Sequence, residues 1–177
     1  MSSASPLLRY SLAIGAGLGV VPAVFAAGLN VNIEVPRLNV AEYHRPYVAL
    51  WIERPDNSMV GTLAVWYDLK KRDSEGTKWL KDMRQWWRRG GRELSLPIDG
   101  VSGPTRPVGK QALGFSEGSK PLGQLPAGSY KLVVEAARES GGREVVSVPF
   151  DWPAKAPVSL KGQGQTELGA IAVELLP

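Results

Sequence analysis

From residue 29 to residue 35 the chain alternates without a break. Leu29, Val31, Ile33 and Val35 fall on one face, and Asn30, Asn32 and Glu34 on the other. A period of two fits a half-buried β-strand and no helix. Further short runs follow at turn-separated intervals. Tyr47–Glu53 and Met59–Tyr67 are apolar on both faces and read as central strands, with Pro55-Asp56-Asn57 supplying the turn between them. Ser129–Ala137 and Arg143–Phe150 flank Ser140-Gly141-Gly142, a second hairpin. Arg92–Pro97, Lys110–Phe115 and Leu168–Leu175 complete the set. Runs this short, punctuated by 20 glycines and 14 prolines in 177 residues, predict an all-β fold. The expected form is an antiparallel, immunoglobulin-like β-sandwich of about eight strands in a single domain, residues 28–177.

One stretch departs from that period. After Gly76, residues Trp79, Met83, Trp86 and Trp87 are spaced i, i+4, i+7 and i+8, and Gly90-Gly91 follows. The spacing predicts one short amphipathic helix inserted at about residues 77–89, with Trp79 and Met83 in the core. Adjacent residues on a helix point about 100° apart. Trp86 and Trp87 are therefore not expected to share one core, and one of them is expected to meet a flat ligand or a partner.

Residues 1–26 have a different character. A single charge, Arg9, precedes an apolar run that ends at Pro22, with Val24 and Ala26 as the small residues of a cleavage site. The run is Gly-rich and too short to make a good span, which needs roughly 20 apolar residues. It reads as a cleaved secretory signal peptide, and the chain as an exported, periplasmic protein with no integral membrane segment after processing.

The absence of Cys excludes disulfides, thiolate metal sites, cysteine nucleophiles and a lipoprotein anchor. The sequence pI of 9.4 suggests nucleic acid, but export argues against that partner. The basicity is also local. Residues 70–92 hold nine basic side chains against Asp73, Glu75 and Asp82, a net +6, which leaves the rest of the exported chain at −3. The sole histidine, His44, has no second metal ligand near it in sequence. Nothing in the sequence places a serine beside His44 to mark a serine hydrolase. No catalytic residue is assigned, and the chain is expected to be non-catalytic.

The segment Asp99-Gly-Val-Ser-Gly-Pro-Thr-Arg-Pro107 is rich in turn formers. It also resembles the acceptor motif of extracytoplasmic FAD:protein FMN transferases: Asp, two variable residues, Ser or Thr, Gly or Ala, Ala, then Ser or Thr. Asp99, Ser102, Gly103 and Thr105 match it. The resemblance implies covalent FMN on the hydroxyl of Thr105. Pro104 stands where the motif has Ala, and proline fixes φ and removes an N–H. In this reading Trp86 or Trp87 shields the isoalloxazine, and Arg106, Arg88 or Arg89 meets the phosphate.

Three segments together, Tyr43–Glu53, Trp79–Arg88 and Asp99–Pro107, resemble the predicted periplasmic proteins grouped as domain of unknown function 2271. The resemblance spans roughly residues 30–175 and implies an immunoglobulin-like sandwich. It further implies neighbours in redox or iron uptake, namely membrane proteins of the PepSY type and FMN transferases. The expected function is an exported accessory of such a membrane system, carrying FMN for electron transfer. The other reading is a cofactor-free interaction module that docks on a membrane partner through the Trp86, Trp87, Arg88, Arg89 patch.

Overall fold

The structure, a computed structural model, describes residues 27–177. The expected signal peptide, residues 1–26, lies outside them. Among the described residues nine strands form two sheets: β1 (Gly28–Val35), β2 (Tyr47–Glu53), β3 (Met59–Tyr67), β4 (Ser102–Pro104), β5 (Gly109–Ser116), β6 (Gly128–Ala137), β7 (Arg143–Trp152), β8 (Val158–Gln163) and β9 (Ala170–Leu176). One sheet runs β5-β1-β9-β8 and the other β4-β3-β2-β6-β7. Every pairing is antiparallel except that of β4 with β3. This is the expected two-sheet sandwich.

Two cores explain which strands alternate and which do not. Between the sheets, Leu29, Val31 and Ile33 of β1 pack with Leu50 and Ile52 of β2 and Leu132 and Val134 of β6. The polar side of β1 remains on the outer face, so β1 alternates. The five-stranded sheet is covered on its other face as well. Ala49, Trp51, Val65, Tyr67 and Val133 there meet Leu80, Met83 and Trp86 of the helical insert. All seven residues of β2 are consequently buried.

The insert differs from the single helix expected at 77–89. Residues Arg72–Asp82 form a 3₁₀ segment interrupted near its start, where Asp73 and Ser74 take left-handed φ values of 52° and 56°. Met83 breaks the path, and a six-residue helix, α1 (Arg84–Arg89), follows. The change of pitch reverses one assignment. Met83 is buried as expected, but Trp79 is 47% exposed and Trp86 is fully buried. Trp86 Nε1 donates to Thr62 Oγ1 at 3.0 Å. The fully buried Glu135 of β6 accepts the Gln85 and Trp86 N–H groups at 3.1 and 2.7 Å and Arg143 Nη1 at 2.7 Å. That carboxylate anchors the start of α1 to the sheet.

Two strand boundaries also change. Arg92–Pro97 is not a strand: Leu94 and Leu96 alternate because they pack on the outer core beyond a 3₁₀ turn, with no partner strand. β8 carries few apolar residues and was not expected. At that edge the two sheets close on each other, and a Cβ on Gly162 would lie 2.8 Å from Val148 Cγ2 and 2.9 Å from Val146 Cγ1.

Candidate functional site

The Asp99–Pro107 segment begins as a turn and continues as the edge strand β4. Ser102 N–H donates to Ile98 O at 2.8 Å, and Ser102 Oγ accepts the Ile98 N–H at 2.9 Å. Gly100 sits at φ +73°, a left-handed position that suits glycine. Asp99 is exposed at the turn. Val65 N–H then donates to Val101 O at 2.9 Å and Thr105 N–H to Tyr67 O at 3.2 Å, which lays β4 along the end of β3. Ser102, one of the residues that match the acceptor motif, thus has a local structural bond. Gly103 lies against Trp66, where a Cβ would come within 3.4 Å of Cδ1.

Thr105 is half-buried and lines a cleft of about 350 Å³. The other walls come from four parts of the chain: Tyr43, His44, Arg45 and Tyr47 leading into β2, Asp68 after β3, Trp79 with Asp82 from the 3₁₀ segment, and Ala137–Glu139 at the end of β6. Gly76 makes this meeting possible, because a Cβ there would lie 2.2 Å from Asp68 O. The segment can press on the end of β3 only where no side chain intervenes, and Trp79 is thereby carried to the cleft mouth. A second recess adjoins the first and shares Asp68 and Thr105 with it, adding Leu69, Lys70 and Lys71.

The cleft is a mixed polar environment. His44 Nε2 lies 3.2 Å from Glu42 Oε1, and Nδ1 lies 3.8 Å from Glu139 Oε2, so the imidazole bridges the β1–β2 connection and the β6–β7 hairpin. Arg138, nearly buried in the wall, forms a two-point pair with Glu167 at 2.9 and 3.0 Å. The Glu167 hydrogen bond raises its pKa further. Burial pushes the Tyr47 phenol up to about 12. Its hydroxyl is buried and meets no partner in hydrogen-bonding geometry, although the Asp68 carboxylate is near enough to bear on its titration. A buried hydroxyl left without a partner costs roughly 1–3 kcal/mol. This is therefore a place where a bound polar group would gain.

The residues singled out from sequence divide sharply. Thr105 lies on the cleft, and Asp99, Ser102 and Gly103 shape the segment that leads to it. Arg106 is placed elsewhere. Its guanidinium sits 5.2 Å from the centroid of Trp66, an inter-sheet core residue, and its Nε is buried without a partner. It forms no part of the cleft wall, where Arg45 is the cation beside Arg138, and Lys71 lines the adjoining recess. Trp86 is sealed in the outer core, and Trp87 is half-buried beside it with ring centroids 6.2 Å apart. Neither lines the cleft. The exposed indole at the cleft is that of Trp79 instead, displaced from the core by the pitch change at Met83.

Sequence reasoning missed Tyr47 and Asp68 altogether. Tyr47 reads as a strand residue, and only its unpaired hydroxyl marks it. Among the described residues no three His, Asp or Glu side chains converge as metal ligands, and no helix is long and apolar enough to cross a membrane.

No curated protein and no solved structure matches the chain. One family model does, over residues 28–170: "Predicted periplasmic protein (DUF2271)". That interval takes in the strands from β1 to β8, the helical insert and every wall of the cleft. The chain belongs to this family of predicted periplasmic proteins.

Proposed function

We propose that the protein is an exported accessory of a membrane redox or iron-uptake system and that Thr105 carries FMN as a phosphoester. One observation carries the reading: the acceptor-like hydroxyl opens on the same cleft as the exposed indole of Trp79. The donor set fits a flavin nucleotide. Trp79 offers a flat face for stacking, Arg45 and Lys71 offer charge to the phosphate, and the Tyr47 hydroxyl offers an unspent hydrogen bond.

Attachment would form one bond, from Thr105 Oγ to the FMN phosphorus of FAD. It would break the pyrophosphate linkage and release AMP, with the hydroxyl proton passing to a base of the transferase. Once bound, the flavin supplies the electron chemistry. The chain's own task is to hold, orient and partly shield it. A membrane protein of the PepSY type is the electron partner in this reading.

The test is intact and peptide mass spectrometry after co-expression with an FMN transferase in an exporting host. An FMN-sized addition on the peptide spanning Asp99 to Lys110, absent in Thr105→Val, is the expected result. Wild-type protein left unmodified beside an efficiently modified control substrate would overturn the proposal. Pro104→Ala would then show whether proline is the obstacle.

A further inference from the structure

We infer that the helical cover of the five-stranded sheet is a docking surface for anionic phospholipid headgroups. The first observation is charge that stays unspent. Of the nine basic residues in 70–92, four are engaged: Lys71 with Asp68, Lys78 with Glu75, Arg89 with Glu53 and Arg92 with Glu93. Lys70, Arg72, Lys81, Arg84 and Arg88 are exposed and make no ion pair among the described residues. The two carboxylates buried beneath this layer do not cancel them outward. Glu53 is matched by Arg89 and Lys131, and Glu135 by Arg143.

The second observation is independent of charge. Leu69 and Trp79 are among the large apolar side chains the fold leaves exposed, at 37% and 47%. Both stand within this basic layer, Leu69 beside Lys70 and Trp79 beside Lys78. An indole and a leucine among lysines and arginines is the composition of a surface that sits at headgroup level.

The arrangement favours a lipid surface over an acidic protein. The free cations stand on separate stems from Lys70 to Arg88 and gather in no common pocket: Lys70 edges the recess beside Thr105, and Arg84 edges another beside the β6–β7 turn. The two apolar side chains stand apart, Trp79 at the cleft mouth and Leu69 at the adjoining recess, and share no apolar groove. A fluid surface can bring headgroups to each cation, whereas a folded partner needs fixed complementary geometry. With the rest of the exported chain at net −3, the molecule is electrically polar and would approach basic side first. The Thr105 cleft, with Trp79 at its mouth, would then lie beside the bilayer.

The experiment uses protein recovered from the periplasm of an exporting host without an FMN transferase, so its outcome is separate from that of the flavin reading. Flotation would be measured with vesicles of phosphatidylglycerol and phosphatidylethanolamine and with vesicles of phosphatidylcholine. Binding to the first should exceed binding to the second by about tenfold or more and fall steeply as salt rises. The triple variant Lys81→Ser, Arg84→Ser, Arg88→Ser should lose most of it while keeping the circular dichroism of the wild type. Trp79→Ala should weaken binding and remove the vesicle-induced blue shift in emission. Equal binding to neutral vesicles would overturn the inference, as would full binding by the triple variant, which keeps the same N-terminus. Binding to polyglutamate with none to anionic vesicles would assign the surface to an acidic protein and overturn it too.

Discussion

Arg89 reaches from the end of α1 to place its Nε 3.2 Å from Oε1 of Glu53, a carboxylate only 1% exposed. Trp51 Nε1 also donates to that oxygen at 2.9 Å, and Lys131 lies 3.6 Å from Oε2. A buried carboxylate stripped of a partner is costly. Arg89→Ser should therefore lower stability by about 1–2 kcal/mol, less than a full buried-pair loss because Lys131 and Trp51 remain. Arg88, whose Nε reaches only the carbonyl of Arg84, should tolerate the same change within about 0.5 kcal/mol. Urea denaturation of the two variants would separate them, and equal midpoints would show that Glu53 does not depend on Arg89.

Trp79 and Trp86 should behave as opposites. Trp86 is fully buried and its indole N–H is satisfied by Thr62, so Trp86→Ala should cost about 3–5 kcal/mol. Trp79→Ala should change stability by no more than about 0.5 kcal/mol. Thermal melts on purified protein suffice to compare them. A large loss at Trp79 would return it to the core and remove it from the cleft mouth.

Glu144 gives a pH dependence with a definite sign. Desolvation would raise its pKa, but backbone N–H groups of Gln165, Leu168 and Thr166 outweigh it and hold the carboxyl below its ordinary 4.5. The distances for Gln165, Thr166, Glu167 and Leu168 run from 2.6 to 3.0 Å. A depressed folded pKa adds stability above the unfolded value and loses it as pH falls through the folded value. The urea midpoint should therefore drop as pH is lowered from about 4.5, and Glu144→Gln should flatten part of that slope. An unchanged slope in the variant would show that other carboxyls account for it.

Much of the fold was legible because β-alternation needs only one buried face. β1 shows it directly, and β2 and β3 read as doubly buried because a second core does cover them. The same logic misled at Arg92–Pro97, where Leu94 and Leu96 alternate against the outer core without a strand partner. It was silent at β8, whose closest sheet contact is made by the absence of a side chain on Gly162. In the insert, a uniform 3.6-residue period puts Trp79 in the core with Met83 and leaves open which of Trp86 and Trp87 faces outward, whereas the 3₁₀ pitch and the break at Met83 expose Trp79 and bury Trp86. At the site, Thr105 and His44 each stood out alone. Their meeting with Tyr47, Asp68 and Trp79 depends on how the insert settles against the end of β3, which no local pattern encodes.

That settling rests on Gly76. The residue is buried, and a Cβ built on it would fall 2.2 Å from Asp68 O and 2.9 Å from Asp68 C, both backbone atoms unable to swing aside. Gly76→Ala must therefore lift the 3₁₀ segment from the end of β3, and an overpacked contact of this kind costs about 1–3 kcal/mol. Gly61 in β3 is the control, since a Cβ there meets nothing within 4 Å and alanine should be neutral or slightly stabilising. The consequence extends to the cleft. Asp68 and Trp79 lie on either side of the strained contact, so Gly76→Ala should also change the emission of Trp79, read as the difference from the same variant carrying Trp79→Phe. Wild-type stability and emission in Gly76→Ala would mean that the insert reaches the cleft without that close approach.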